Sequence, residues 1–315
     1  MGQGDELSRR SKALSADEQA RRLVSQVLVL GHKKSDLGAH TRDLITSLGT
    51  ARNYQQCLKD FLEWRLAAGV GVDAVACRLE IENYLSVEGK RWRQKTLDQH
   101  RQALALVFCV TLPVFDADIP TFVDGRAYSH SEVVSIAARQ CPRHSLSTHF
   151  VFHSGVRAVE MYELREVHEL ARTADRPWRD DLFAGFAEGE LFSTTGKGGL
   201  VRLVWVPSAL AYALRNVRLD EPREVIDRGI NRNYVFDVGG GQNLSESFTQ
   251  ASKRALGYSL GIHGLRHAYV QRRLETLLGL KFAVIDALEI VSQNKGHMRP
   301  EITLAYTPRR DDHGA

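Results

Sequence analysis

Three side chains that can carry a positive charge lie within five positions of the sequence, in GIHGLRHAYVQ (residues 261–271). They are His263, Arg266 and His267. Residues three and four apart share one face of a helix, so these groups would project together. Like charges on one face repel each other unless the histidines stay neutral or an anion lies between them. The stretch therefore predicts either an anion-binding site or a helix end that holds core histidines.

Further groups that can do acid, base or anion-binding chemistry lie on both sides of this stretch. Arg157 follows a Ser-Gly turn in HSGVRAVEMYEL, and Glu160 comes three residues later. Lys197 lies in the glycine-rich TTGKGGLVR, while His297 and Tyr306 lie in KGHMRPEITLAY. Each of these residues alone is typical of a structural position. Their order along the chain, which is Arg, Lys, His-x-x-Arg, His and Tyr, is much more specific.

In these residues the sequence resembles the tyrosine recombinase (phage integrase) family. The resemblance covers roughly residues 48–308, and TARNYQQCLKDFLEW and KTLDQHRQALALVF look like the first and last helices of its helical core-binding domain. It implies a catalytic set made of Arg157, Lys197, His263, Arg266, His297 and Tyr306. It also implies a buttressing role for Glu160 and a structural role for His267.

The chemistry of this set fits attack on a phosphodiester. Two arginines offer forked donors that match phosphate oxygens and stabilise the charge that develops there in the transition state. Tyr306 must lose its proton to attack phosphorus, and His263 is the candidate base. Lys197 can protonate the leaving 5′ oxygen, and His297 would hydrogen-bond a phosphate oxygen. A covalent 3′-phosphotyrosine keeps the energy of the bond, so we expect no cofactor and no metal.

The hydrophobic pattern predicts a mainly α protein with a small β-sheet (α+β). A helix over TARNYQQCLKDFLEWRLAAG would be capped by Thr50 and would stop at Gly69, and two more would follow Asp73 and begin near Thr96. Later helices are predicted over SEVVSIAARQ, HFVFHSGVRAVEMYELREVHEL and from SESFTQASKRALGYSLG onward. The apolar, β-branched flanks of GELFSTTGKGGLVRLVWVP predict one β-hairpin, with Lys197 at its tip.

These elements predict a helical core-binding domain joined by a linker to a tyrosine-recombinase-like catalytic domain. The linker lies in LPVFDADIPTFVDG, which contains two prolines and a glycine and has no helical period. We expect an N-terminal extension at 1–40, the helical domain at 41–115, the linker at 116–127 and the catalytic domain at 128–315. The second domain would be mostly helical with one small sheet.

The charge pattern adds a candidate DNA-binding surface. The net charge of the 315 residues is only +4, but GKRWRQKTLDQHRQ (89–102) has five Lys or Arg against one Asp. Such a stretch is either a solvated helix face or a surface that follows a phosphate backbone. The second interpretation makes the DNA-binding candidates Lys90, Arg91, Trp92, Arg93, Lys95 and Arg101. The family resemblance implies double-stranded DNA with inverted half-sites as partner, bound by one dimer per site and a tetramer in the synapse.

The compartment is predicted from what the sequence does not contain. Four widely spaced cysteines form neither a CxxC pair nor a zinc motif, which predicts reduced core thiols. No signal peptide is evident, and the best apolar run near the N-terminus, LVSQVLVL, is too short to span a bilayer. We expect a cytoplasmic, nucleoid-associated protein with no membrane partner.

Three features depart from the family pattern. The interval from Arg266 to His297 is long, at 31 positions, and SQNKGH has polar residues where the family usually places a leucine before Gly-His. Nine residues follow Tyr306, which leaves the docking of protomers open.

The function expected is site-specific DNA recombination for the integration, excision or transposition of a mobile element. Two alternatives are a type IB topoisomerase-like enzyme and a DNA-binding regulator without catalytic activity.

Overall fold

Two structural units divide the chain between Phe122 and Val123. The computed structural model describes residues 14–30, 37–38, 43–119 and 126–304. The described part of the first unit has four α-helices: α1 Ala16–Gln26, α2 Leu48–Ala67, α3 Arg78–Glu88 and α4 Gln94–Val107. Helix α1 falls within the predicted N-terminal extension, yet it packs on α2 and shares its core.

Helix α2 begins earlier than predicted. Its N-cap is Ser47, whose hydroxyl oxygen accepts the backbone N–H of Thr50 at 3.1 Å, so the expected cap at Thr50 is wrong. Ser47 has the extended backbone that an N-cap needs, whereas Thr50 is already inside the first turn. The aromatic core of this unit includes Phe61 and Tyr84, which pack edge to face with ring centroids 5.1 Å apart.

The second unit contains the remaining seven helices and five strands of the described residues. They are α5 His130–Ala137, α6 Pro142–Ser154, β1 Arg165–Glu166, β2 Gly189–Thr195, β3 Val201–Pro207, α7 Ser208–Arg215, β4 Arg218–Asp227, β5 Ile230–Phe236, α8 Gly241–Leu256, α9 His263–Gly279, α10 Val284–Asn294 and α11 Glu301–Leu304. Helix α6 packs against α9, α8 and β3, and this places it in the centre of the unit.

The predicted hairpin is present as strands β2 and β3. They pair antiparallel from Gly189↔Pro207 to Thr195↔Val201, and β1 adds a third antiparallel strand on the other edge of β2. The expectation of one small sheet is wrong, because β4 and β5 form a second, two-stranded sheet. Strand β4 is charged and mostly exposed and contains Pro222, so its sequence, RLDEPREVID, lacks the alternation that marks a strand.

The helix predicted over HFVFHSGVRAVEMYELREVHEL stops after its first third. Helix α6 ends at Ser154 because Gly155 takes a left-handed backbone with φ +67°, which closes the helix. The chain then forms a 3₁₀ turn at Ala158–Glu163 and enters β1. This early stop directs the segment that follows Gly155 towards the interior of the unit.

The cysteine prediction is right for one residue only. All four cysteines are free, but only Cys57 is buried, while Cys77, Cys109 and Cys141 are exposed. None of the described helices is both long enough and apolar enough to cross a membrane.

Candidate active site

Four segments of the second unit carry the described members of the predicted catalytic set. Glu160 lies on the 3₁₀ turn after α6 and Arg157 immediately before it, and Lys197 lies between β2 and β3. His263 and Arg266 lie in the first turn of α9, and His297 lies between α10 and α11. The structure brings the side chains of Arg157, Glu160, Arg266 and His297 together.

A buried carboxylate lies at the centre of this cluster. Glu160 is 2% exposed, and its oxygens lie 2.5 Å from Nη1 of Arg157, 2.8 Å from Nη2 of Arg202 and 3.8 Å from Nη1 of Arg266. Burial alone would raise the pKa of Glu160, but the charges of Arg202, Arg266 and Arg157 outweigh it and lower the pKa to about 2. Glu160 therefore stays ionised and holds three guanidinium groups around one point.

Arg157 connects this carboxylate to His297. Its Nη2 lies 3.3 Å from Nε2 of His297, while its backbone N–H donates to Glu160 at 2.7 Å. An arginine nitrogen can only donate, so Nε2 of His297 is the acceptor and carries no proton in this contact. Ser292 supports the histidine because its hydroxyl donates to the carbonyl of His297 at 3.1 Å.

Arg266 lies deeper than Arg157. It is 1% exposed, and its Nη1 donates to the carbonyl oxygen of Gly155 as well as facing Glu160. Gly155 also faces the ring of Tyr269, where an added Cβ would lie 2.4 Å from Cδ1. The glycine that ends α6 therefore permits a close approach to α9 and presents a carbonyl to the site arginine.

The histidines at the start of α9 have lowered pKa values. The rings of His263 and His267 meet edge to face, with centroids 5.4 Å apart. The main cause is partial loss of water around each ring, and the second is the charge of nearby cations that include Arg266. Together they lower the pKa of both histidines to about 4, although His263 is exposed at the surface. Burial and the charge of Arg157 lower the pKa of His297 to about 4 as well. The positive charge of the site is therefore carried by arginines.

Lys197 lies where the hairpin prediction put it. It is exposed and makes no hydrogen bond or ion pair with another described residue. Gly196, just before it, packs against the cluster, since an added Cβ would lie 3.4 Å from Oε1 of Glu160 and 3.4 Å from Nη1 of Arg202. The hairpin tip is thus anchored beside the site, and Lys197 extends from it with an unrestrained side chain.

Arg202 is a member of the cluster that sequence reasoning missed. It is 1% exposed on β3, and its Nε donates to the carbonyl of Asn294 at 3.0 Å. Its Nη2 binds Glu160, so it ties the hairpin, the 3₁₀ turn and the end of α10 together. The sequence feature that could have indicated its role is a charged residue at an inward-facing position of a hairpin strand, which also carries valines and a tryptophan.

Lys295 is the second residue that was missed. It replaces the leucine expected before Gly-His, and it is fully buried at the end of α10. Burial and the neighbouring charges of Arg266, Arg157 and Arg202 lower its pKa to about 5. A lysine with a strongly lowered pKa therefore lies among the site arginines. The sequence feature that could have indicated this is the polar SQNKGH, which departs from the family pattern at this position.

Tyr306, the predicted nucleophile, lies outside the described residues, which end at 304. Its position relative to the cluster therefore remains a prediction. The last described element is α11, which ends two positions before Tyr306 in the sequence and packs on α10.

The six DNA-binding candidates of the first unit differ in their surroundings. Arg91 pairs with Glu88, and Arg101 lies 3.8 Å from Asp98. Trp92 stacks on His100 at 4.0 Å between ring centroids, so part of its face is used in packing. The other three, Lys90, Arg93 and Lys95, are exposed. A role of these six in DNA binding stays a prediction.

A pocket of about 240 Å³ opens beside the cluster. Its polar lining includes Arg157, His263 and Arg266, together with Asp227 at the end of β4 and Arg228 in the turn that follows. Apolar side chains, among them valines of α6 and of the 3₁₀ turn, form the remaining wall. Such a pocket offers an anion three guanidinium groups and an imidazole in partly dehydrated surroundings.

The fold is that of the tyrosine recombinases, which confirms the predicted fold class and the resemblance. The chain is similar to the XerH site-specific recombinase bound to difH substrate in a pre-cleavage complex, with a TM-score of 0.54 and 14% identity over 96% of this chain and 95% of that one. It is similar to a lambda integrase dimer bound to a COC′ core site, with a TM-score of 0.54 and 12% identity over 93% and 78% of the two chains. It is also similar to the Tn1549 transposon integrase in complex with transposon right end DNA, with a TM-score of 0.51 and 12% identity over 94% and 95%. No family model and no curated protein sequence matches the chain.

Proposed function

We propose that the protein is a site-specific DNA recombinase that cuts and rejoins strands through a covalent 3′-phosphotyrosine at Tyr306. One observation carries the proposal: a buried carboxylate, Glu160, gathers Arg157 and Arg266 while Arg157 also contacts His297. These side chains belong to the set that the sequence pattern singled out, and they lie beside a pocket with room for an anion.

The two arginines would hold the scissile phosphate. Guanidinium groups donate in a planar fork that matches two phosphate oxygens, and Glu160 orients both groups before any substrate arrives. Attack on phosphorus adds negative charge to these oxygens. Fixed cations aimed at that charge lower the barrier, and losing one such donor typically costs about 10²- to 10³-fold in rate.

The proton transfers would use the neutral groups of the site and the hairpin lysine. The hydroxyl of Tyr306 gives its proton to His263 as its oxygen bonds to phosphorus, and the bond from phosphorus to the 5′ oxygen breaks. Lys197 gives a proton to that 5′ oxygen. Religation runs the same transfers backwards, with the 5′ hydroxyl displacing the tyrosine.

The proposed partner is double-stranded DNA, and the proposed working assembly is one dimer on two inverted half-sites and a tetramer in the synapse. The similar structures support a DNA partner, since they are described as complexes with difH substrate, a core site and transposon DNA. The proposal extends to a role in a mobile element and to a cytoplasmic, nucleoid-associated location. Residues 41–115 would act as the core-binding domain, 116–127 as the linker and 128–315 as the catalytic domain.

The two alternatives are tested by different properties of the protein. A type IB topoisomerase-like enzyme would relax supercoiled DNA that lacks any cognate site at low enzyme concentration. A DNA-binding regulator without catalytic activity would bind DNA and form no covalent complex. The assembled arginine and histidine cluster favours catalysis over the second alternative.

The test is covalent trapping on nicked duplexes of randomised sequence. A nick just downstream of the cleavage point lets the short fragment that carries the freed 5′ hydroxyl diffuse away, so the tyrosine adduct accumulates. The protein is denatured, DNA that remains attached is sequenced, and mass spectrometry locates the modified residue. We expect adducts at Tyr306 that share a sequence motif, and the motif identifies the half-site.

The matched control is Tyr306→Phe, which removes one oxygen and keeps the ring. We expect this variant to bind duplex DNA as the wild type does and to form no adduct. An adduct in the variant would mean that another residue is the nucleophile. Wild-type protein that binds DNA and never forms an adduct would support the inactive regulator instead.

A further inference from the structure

The turn between β4 and β5 has an unusual residue at its tip. Strand β4 ends at Asp227 and β5 begins at Ile230, so the loop consists of Arg228 and Gly229. Both have positive φ, +51° and +75°, as in a type I′ turn. This turn favours Asn-Gly or Asp-Gly, and a long side chain such as arginine is rarely found with this backbone.

The unfavourable backbone of Arg228 occurs at the edge of the candidate active site. Arg228 lines the same pocket as Arg157, His263 and Arg266. Residues with strained backbones persist where the surrounding structure enforces them, and they concentrate at functional sites. A hairpin tip could use the preferred Asn-Gly turn at no cost to the fold, so the arginine side chain needs another explanation.

Three hydrogen bonds fix the hairpin tip against the first turn of α8. Nε of Arg228 donates to Oε1 of Gln242 at 3.1 Å, and its Nη2 donates to the same oxygen. In return, the backbone N–H of Gln242 donates to Oδ1 of Asp227 at 2.8 Å. The side-chain oxygen of Gln242 thereby orients the guanidinium of Arg228.

The burial of the pocket arginines differs in a way that separates their roles. Arg266 is 1% exposed and Arg157 is partly buried beside Glu160, whereas Arg228 is exposed at the mouth. One phosphate is matched by the two inner guanidinium groups. DNA carries a charge on every nucleotide, so the phosphate next to the bound one would pass the mouth of the pocket.

We propose that Arg228 binds the DNA backbone phosphate next to the scissile one, so that the β4–β5 hairpin sets the path of the cleaved strand across the active site. This inference rests on the proposed function, since it takes Arg157 and Arg266 as the residues that hold the scissile phosphate. It assigns a DNA-positioning role to a hairpin that sequence analysis did not detect.

The test replaces Arg228 by asparagine. Asn tolerates positive φ and forms the preferred Asn-Gly turn, so Arg228→Asn removes the charge and favours the hairpin. We measure binding of a short fluorescein-labelled duplex of random sequence by anisotropy, at salt concentrations from about 50 to about 200 mM. We expect a Kd about tenfold higher at low salt and a salt slope smaller by about 0.9, the value for one phosphate contact. The thermal unfolding midpoint should stay equal or rise.

Two control variants separate a specific contact from general charge. Arg223→Asn removes the same charge from an exposed position of the same hairpin outside the pocket, and its salt slope should match the wild type. Arg228→Lys keeps the charge and should recover most of the slope. A slope for Arg228→Asn equal to that of Arg223→Asn would overturn the proposal. So would a lower unfolding midpoint with an unchanged slope, because Arg228 would then serve only the fold.

The same measurements distinguish a failure of this inference from a failure of the proposed function. Wild-type protein that forms the Tyr306 adduct while Arg228→Asn binds DNA equally well would reject the role of Arg228 alone. Wild-type protein that does not bind the duplex at any salt concentration would reject the recombinase proposal and this inference with it.

Discussion

Nη2 of Arg157 lies 3.3 Å from Nε2 of His297, although the two residues are 140 positions apart in the chain. This contact defines the state of both groups. The guanidinium donates, so Nε2 of His297 accepts and is unprotonated. The imidazole can gain a proton at Nε2 only when Arg157 donates to a different acceptor instead. A phosphate oxygen between the two residues would do this, because both could then donate to it.

Replacing Glu160 by glutamine should destabilise the second unit strongly. The variant keeps the shape of the side chain but leaves Arg157, Arg202 and Arg266 without their shared anion. Removing one partner of a buried ion pair typically costs about 3–5 kcal/mol. We expect this loss in urea unfolding at pH 7. Glu190→Gln, which removes the carboxylate of a partly exposed pair with Arg215, should cost about 1 kcal/mol or less.

The cost of Glu160→Gln should depend on pH in a defined window. The pKa of Glu160 is lowered from 4.5 to about 2 in the fold, so its charge stabilises the native state above pH 4.5. This contribution decreases as pH falls from 4.5 to 2 and is absent below 2. The unfolding free energies of wild type and variant should therefore converge at low pH. A difference that stays constant from pH 6 to pH 2 would contradict the ionised state of Glu160.

Replacing Lys295 by methionine should stabilise the protein at neutral pH. The lysine is protonated in the unfolded chain below 10.5, but burial and nearby arginines lower its pKa to about 5 in the fold. Unfolding therefore takes up a proton between pH 5 and 10.5, and the wild type loses stability as pH falls through that range. We expect a gain of about 1–4 kcal/mol at pH 7 for the variant, and a flatter pH profile.

The control for this variant is Lys253→Met on the exposed face of α8, which should change stability by about 0.5 kcal/mol or less. Chemical denaturation across pH 6 to 9 measures both. A variant that is less stable than the wild type at pH 7 would mean that the amine of Lys295 stabilises the fold through its charge.

Binding of DNA should draw protons into the site. Burial and neighbouring cations hold the pKa of His297 at about 4 and that of Lys295 at about 5, so both are neutral in the free protein at pH 7. A bound phosphate favours their charged forms and raises these pKa values. Affinity should therefore increase as pH falls from 7 to 5. Calorimetry in buffers of different ionisation enthalpy should show proton uptake, and proton release would contradict this account.

Lys197→Ala should slow strand cleavage and leave DNA binding nearly unchanged. The ammonium extends from an exposed turn whose Gly196 is anchored against Glu160 and Arg202. Loss of a general acid costs about 10²- to 10⁴-fold in rate. A substrate with sulfur in place of the bridging 5′ oxygen needs no protonation to leave, so it should restore the rate of the variant. Cleavage that stays slow on this substrate would exclude the acid role.

Gly155→Ala should destabilise the fold for two separable reasons. Its φ of +67° disfavours any side chain, and an added Cβ would lie 2.4 Å from the ring of Tyr269. Gly257 ends α8 with a similar φ of +82° but has open space around it. We expect Gly257→Ala to cost about 1–2 kcal/mol, and Gly155→Ala to cost about 1–3 kcal/mol more. Equal costs in urea unfolding would mean that Tyr269 moves freely.

The sequence alone was sufficient for features that depend on local physical chemistry. Glycine beside Lys197 marks a turn between apolar strands, and the hairpin with its exposed lysine is present as predicted. Helix spacing put His263, Arg266 and His267 in one turn. The ordered pattern of side chains also led to the family resemblance, and the fold confirms it.

Only the tertiary structure decided how these groups act on one another. Arg202 and Lys295 join the site because β3 and the end of α10 pack beside the 3₁₀ turn, and no local pattern encodes that distance. The pKa values of Glu160 and His297 depend on charges brought close from remote segments. The β4–β5 hairpin was hidden because its exposed strand lacks alternation, so the place of Arg228 at the pocket followed from packing alone.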